Sequence, residues 1–511
     1  MTTMWKESNL PIKMISLIAF SQIGNICMYS AMFGYLPNLL HEFGQKWTDV
    51  GFYQGVVLAL FMTSFCLSSL VSGKIVDHYG SRALFSICLF FQACTVCFIA
   101  FTSSTKWLYI GVILIGLSTA SELVAKVIVY EISDESNKAY VYNFAISMPT
   151  NVSLFLGPAL GGILSFPAEQ YPDLISSDSL FSSFPILLPN MIISVMLLIT
   201  SVSAFIMCKT SDKDANISLS HKQYKPVSDD DGDDNNDDIS VFQYHTQRNV
   251  VLSMFILIIY TLAIDGFTTL LGVWLQTPST YFGVGYSPKI SGSLMLVSGL
   301  LLLITDSVFV GTAIDKLGLK RGFMVCFSLY AFLVSIIWMI PGLKNKISIF
   351  ILITITVVSI RTSVSGVKVA LFAYMNSFIP KNISGRVISV RECIKSLTSI
   401  AAHPLAGSLF AWSLGNNKTM SHKDAFGFPL NYAFTFYLIS FISCVAIFTS
   451  VLLDDVTDPV RNQKREDIVE NQREEDVNQN QGKEDIVEKE SIQLRQMKKR
   501  SIQLETVSWW W

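Results

Sequence analysis

Charge is what this chain has least of. Only 15% of its 511 residues are Asp, Glu, Lys or Arg, against roughly 25% in soluble domains, and the few there are come bunched. Residues 51–73 and 83–105 hold none. With 51% hydrophobic residues and a mean hydropathy of +0.46, this excludes a string of soluble domains, because uncharged apolar runs of roughly 20 residues span a bilayer. Neither sign is in excess: 37 basic residues stand against 39 acidic ones, so no basic field invites nucleic acid. No disulfide framework is laid out either. The nine cysteines fall almost entirely inside apolar runs, as packing residues do. Cys94-Thr-Val-Cys97 has redox or metal spacing but no further soft ligand nearby, so neither a metal nor a cofactor is expected. A phosphate-binding Gly-x-x-x-x-Gly-Lys-Ser/Thr loop is missing, which leaves direct ATP drive without support. No nucleophile, base and orienter set is readable, so the chain is not expected to be an enzyme. The first apolar run, from near Ile12, carries Gln22 and Asn25 without a small-residue cleavage site and reads as a retained span.

What is present is a series of apolar runs of helical length. Spans are predicted near 12–39, 51–72, 83–103, 107–130, 140–165 and 186–208, then near 249–276, 289–312, 322–342, 347–379, 386–411 and 430–453. The expectation is an all-α membrane protein of twelve helices in two pseudo-symmetric six-helix bundles. The bundles cover residues 1–208 and 249–453, an acidic linker 209–248 joins them, and a polar tail occupies 454–511. An even number of spans puts both termini on one side, and the basic connections at 73–82 and 311–321 point to the cytoplasm; the proposed outside loops also carry lysines, among them Lys46, Lys106 and Lys289, so the orientation leans more on the motifs in those connections.

The halves repeat each other at three places. Gly73-Lys-Ile-Val-Asp77-His-Tyr-Gly80-Ser-Arg82 recurs 238 residues later as Gly311-Thr-Ala-Ile-Asp315-Lys316-Leu-Gly318-Leu-Lys320. Lys126 recurs 242 residues later as Lys368, and Gly157-Pro158-Ala-Leu-Gly161-Gly162 recurs 246 residues later as His403-Pro-Leu-Ala-Gly407-Ser408. Three matches in order argue for a duplicated six-helix unit.

At these residues the chain resembles the major facilitator superfamily, whose signature between spans 2 and 3 is Gly-x-x-x-Asp-basic-x-Gly-x-basic. The Gly157–Gly162 run is similar to the core of the family's antiporter signature in span 5. Phe166-Pro-Ala-Glu-Gln-Tyr171-Pro172, Ser179-Leu-Phe181, and Asp265 ahead of Trp274 and Ser287 resemble the zinc-induced facilitator-like branch of drug:proton antiporters. The resemblance implies a secondary transporter with a central cavity formed largely by spans 1, 4, 7 and 10. The chain departs from the family pattern at His78, Ser81 and Ser153, and the arginine usual in span 4 is apolar here.

Ionisable groups inside spans cost about 2.5–3.5 kcal/mol on insertion scales, so each needs a partner, a wet cavity or a neutral state. Glu122 and Lys126 stand four apart and could pair, while the recurrence of lysine at Lys368 suggests a cavity-facing role. Asp265 lies about 22 Å into span 7, on one face with Thr261, Thr268 and Thr269. Such a carboxyl can carry protons; the other reading is a static ion pair with Arg361 on span 10. On span 11, Glu392, Ser396, Ser399 and His403 share a face, with His403 either a proton carrier or a hydrogen-bonded structural residue. Asp306 is a gate contact or a buried carboxylate awaiting a partner. Gln22, Asn25 and Tyr29 on span 1, and Asn143, Ser147 and Asn151 on span 5, offer neutral stripes fit for a solute. Gly157, Gly161 and Gly162 permit close helix approach and Pro158 permits bending, and the Asp77–Arg82 and Asp315–Lys320 loops suit a gate.

The acidic run 229–238 reads as a solvated linker. Together these features predict a multi-pass monomer of the plasma or a vacuolar or lysosomal membrane, whose partners are lipid, protons and a small organic solute or metal chelate. Export in exchange for protons is the leading reading; a facilitator, a proton symporter and a transporter-like receptor are the alternatives.

Overall fold

The computed structural model describes residues 12–79, 81–133, 141–176, 178–218, 248–306, 309, 314, 316–377, 384–418 and 431–453; the side chains of 73–79, 130, 131, 143, 208–218, 376, 384–389 and 415–418 are outside that description. The acidic linker beyond Ser218, the tail beyond Leu453, and Gly80, Gly311 and Asp315 of the repeated motif lie outside the described residues, as do the side chains of Gly73 and Asp77.

Among the described residues the chain is helical throughout. The long segments are α1 (Ile12–Glu42), α2 (Trp47–Tyr79), α3 (Ser81–Ala100), α4 (Thr105–Ser118, then Ala120–Ile132), α5 (a π-helical turn Asn143–Ser147, then Met148–Leu164) and α6 (Leu187–Ser218). They continue as α7 (Arg248–Gln276), α8 (Pro288–Thr305), α9 (Leu319–Ile336), α10 (Lys346–Asn376), α11 (Ser384–Lys418) and α12 (Phe434–Val451). Ten of these are long and apolar enough to cross a membrane. The other two, α5 and α11, pack along the same bundle but are shortened by the π turn or loaded with polar residues. A lipid interior leaves no water for backbone groups, so each crossing segment satisfies them within its own helix.

Packing follows from that solvent. Large side chains such as Phe448 and Ile347, 73% and 70% exposed, point outward, because lipid tails welcome them as readily as a core does. Small and hydroxyl residues are drawn to the helix contacts instead. Many of the hydroxyls fold back on their own helix, as Ser30 does onto the Ile26 carbonyl at 2.7 Å.

Two spans read as continuous in the sequence are interrupted. In α4, Thr119 turns its hydroxyl back to the Ile115 carbonyl at 2.8 Å, and its amide is shared between the Ile115 and Gly116 carbonyls. In α5, the π turn ends against Pro149, which has no amide to continue the regular ladder.

With the helices alternating in direction, one face carries both ends of the described chain and is called here the terminal face; the other is the far face. The far-face loop after α5 explains the Phe166–Tyr171 patch. Phe166 adopts a left-handed backbone (φ 49°), which turns the following residues back on the helix end. Gln170 then donates to the Gly162 and Ser165 carbonyls at 3.2 and 2.7 Å, and the Tyr171 hydroxyl to Ile163 at 3.1 Å. These are last-turn carbonyls that a helix cannot satisfy alone.

Candidate functional site

The polar face of α7 meets that of α11. Ser399 donates to the Asp265 carboxylate at 2.5 Å, and one turn further Thr269 and His403 Nδ1 are 2.7 Å apart. Both rungs join residues 134 apart in sequence, as two helices running in the same direction require. From the first half, Gln54 of α2 donates to the Thr269 carbonyl at 3.3 Å. Asp265 retains partial accessibility deep within the bundle, and the Tyr29 hydroxyl of α1 lies within its electrostatic range. Tyr29 is stacked on Phe61 at 4.6 Å, its edge partner Phe33 at 5.4 Å. The space between the halves thus brings a carboxylate of one within electrostatic range of a phenol of the other.

Arg361 does not pair with Asp265. Among the described residues no ion pair joins them, and the guanidinium instead lies 3.7 Å from the Met295 thioether. Further along the same face of α10, Ser365 donates to Asp306 at 2.8 Å, leaving the other Asp306 oxygen without a hydrogen bond. Lys368 follows on that face, in electrostatic range of Asp306, Glu392 and Lys395 of its own half and of Lys126 across the space. Lys126 itself makes the expected ion pair with Glu122, at 2.9 Å. Glu392 lies 3.6 Å from Lys395, and Arg391 rests on the Phe372 ring. Toward the terminal face the two halves thus present charges of both signs to each other.

Two candidates are fully enclosed by packing. Asn25, 1% exposed, accepts from Ser121, whose hydroxyl also reaches Gln92 at 3.0 Å; this cluster ties α1, α3 and α4 together. His403, also 1% exposed, is wedged where α2 crosses α11, with its Nε2 unpartnered. In the gate motifs, Gly318 has φ +79°, a backbone only glycine adopts freely, and starts α9. Lys320 donates to the Leu453 carbonyl at 2.6 Å beyond the end of α12, while Lys316 and Arg82 are exposed on the terminal face.

The halves close on each other at the far face. A methyl group on Gly55 would come within 2.6 Å of the His403 carbonyl, one on Gly51 within 2.8 Å of the Gly407 carbonyl, and one on Gly162 would strike the Pro288 carbonyl. Gly157 and Gly161 serve a different contact, against Ser30 and Ala31 of α1 within the same half. Side chains complete the seam. Asn38 donates to Gln276 at 2.6 Å, Gln276 donates to the Gly34 carbonyl at 3.0 Å, and the Lys289 ammonium sits 4.3 Å from the centre of the Tyr171 ring. Gln276→Ala is expected to remove about 1–3 kcal/mol from the closed far face, since Asn38 and the Phe33 and Gly34 carbonyls lose hydrogen bonds there. Amide hydrogen exchange in the last turns of α1 and α7 should then quicken, and an unchanged rate would remove Gln276 from the clasp.

Sequence reasoning did not single out Gln54, Asn38, Gln276, Gly51 or Gly55. The last two stand as Gly-x-x-x-Gly, a spacing that marks close helix contact in membranes and could have found the α2–α11 seam. Among the described residues no group of three or more His, Cys, Asp or Glu could hold a metal ion, and the described cysteines are free thiols.

Comparison with known proteins agrees with this architecture. The chain is 28% identical over 396 residues to Protein ZINC INDUCED FACILITATOR-LIKE 1 of Arabidopsis thaliana, covering 75% of this chain and 81% of that one. It is 28% identical over 144 residues to the class H tetracycline resistance protein of Pasteurella multocida, 28% of this chain and 36% of that one. Among solved structures, a bacterial homolog to the human lysosomal transporter Spinster, in an inward-facing and occupied conformation, superposes with a TM-score of 0.62 at 11% identity, over 88% of this chain and 97% of that one. The family model for the Major Facilitator Superfamily matches residues 18–403, and the protein, a multi-pass membrane transporter by that match and by its fold, belongs to the superfamily.

Proposed function

We propose that the protein exports a small organic solute, or a metal chelate, from the cytosol in exchange for protons, by alternating access between the two six-helix halves. One observation carries the reading: Asp265 sits deep between the halves, accessible, held by a serine hydroxyl and joined to no cation among the described residues. The reading assigns to this carboxyl the exchange of a proton, coupled to the arrival of solute or to the change of state. Asp306, next to Lys368, is a second carboxyl on the route to the terminal face.

The remaining parts fit around it. Far-face contacts through Gly51, Gly55, Gly162, Asn38 and Gln276 belong to the state in which the space opens to the terminal face, taken as cytoplasmic. In the opposite state the repeated loop motifs, with Asp77, Arg82, Asp315 and Lys320, would close that side. Such rocking of packed units is an established route for alternating access.

The reading is tested in proteoliposomes with an acidic lumen, with the membrane potential clamped. External tetraethylammonium, glutamate or glucose is supplied, and lumenal pH is followed with a trapped dye. At least one solute should enter as protons leave, above protein-free vesicles. Solute entry with no proton movement would reduce the protein to a facilitator, and no entry at all would favour a receptor.

A further inference from the structure

Arg361 lies fifteen residues from either end of α10, at the middle of a membrane-crossing helix. Protein surrounds it, yet part of its surface stays accessible, as befits a group lining an internal space. A cation at this depth is expected to have a partner. Its only hydrogen-bond partner among the described residues is a thioether sulfur, a weak acceptor. No carboxylate among the described residues forms an ion pair with it: Asp265 meets Ser399, Asp306 meets Ser365, and Glu122 pairs with Lys126.

We infer that Arg361 is the binding site for a carboxylate on the transported solute, so that the cargo is a small organic monoanion. The assignment rests on the transport reading above and names its substrate class. A planar guanidinium presents paired N–H donors that match a carboxylate in two parallel hydrogen bonds. A doubly charged phosphate would need a second cation. The next on that face is Lys368, seven residues or roughly 10 Å further along the helix, already among Asp306 and Glu392. The apolar body of the solute has a surface to meet in Met295, beside the guanidinium.

Thermal unfolding of the purified full-length protein in detergent tests this without a membrane or a gradient, so it can fail while proton exchange succeeds, and the reverse. The probes are benzoate and hexanoate, with inorganic phosphate, tetraethylammonium and glucose as the competing classes, all at matched ionic strength. Benzoate or hexanoate should raise the unfolding temperature. Arg361→Gln should weaken that effect about 10- to 100-fold in concentration, and Arg361→Lys should weaken it less. Unliganded Arg361→Gln should unfold at the same temperature as the parent or higher, because an uncompensated charge has been removed. Stabilisation by neither carboxylate, or by phosphate or tetraethylammonium alone, overturns the assignment. So does an undiminished carboxylate effect in Arg361→Gln, or a marked loss of unliganded stability, which would make Arg361 structural.

Discussion

Asp265→Asn is expected to abolish accumulation driven by a pH gradient while leaving exchange of labelled for unlabelled solute in place. Asparagine keeps the shape and can still accept from Ser399, which now donates to the carboxylate at 2.5 Å, so the α7–α11 contact survives. It cannot carry a proton. Each pH unit is worth about 1.4 kcal/mol, so one-for-one exchange across about 2 units concentrates a solute roughly 100-fold in the parent protein. The variant should hold that ratio near one. Retained accumulation would move the proton to another carboxyl, with Asp306 the next to test.

Gly55→Leu is expected to leave a folded protein that no longer closes its far face. At Gly55 a side chain meets the backbone of His403 and Pro404, which cannot step aside as a flexible side chain would, and the contact joins opposite halves. Overpacking of this kind costs about 1–3 kcal/mol, a shift of roughly 5- to 150-fold away from the closed state. The contrast is Gly157→Leu, where the clash falls on Ser30 and Ala31 within one half, and folded yield should drop instead. Spin labels at Gln45 and Tyr281 in a cysteine-free background would read the far-face distance. An unchanged distance in Gly55→Leu, with transport intact, would show that this crossing does not open.

Hydropathy made most of the fold legible, because insertion into lipid depends on composition over some 20 residues and little else. The predicted span at 249–276 and the observed Arg248–Gln276 differ by one residue. Composition is silent on which way a helix is rotated. Arg361 and Asp265 were both legible as deep, but depth does not say that one turns toward Met295 and the other toward Ser399. Rotation was readable only where residues repeat along one face, as Ser399 and His403 do, and even there the partner helix was not. Asn25 was legible as a polar group on span 1, but its contact with Ser121 was not, since Ser121 and Gln92 come from helices remote in sequence. Gln276 and Asn38, polar residues near span ends, carry no signal that separates a clasp from an interfacial side chain.

The far-face seam has a consequence for the compartment it meets. Its direct links between the halves are an amide pair, amide-to-carbonyl bonds, glycine against backbone, and a lysine ammonium over a phenol ring. An amide has no proton to gain or lose in the physiological range, and lysine and tyrosine ordinarily titrate near 10. None of these links between the halves changes charge between neutral and mildly acidic medium, so acidity on that side should not by itself break them. A dependence of the transport cycle on pH at that face must then come from groups outside these links, either the carboxyls of the interior or Glu42 and Glu169, which face each other beside the seam.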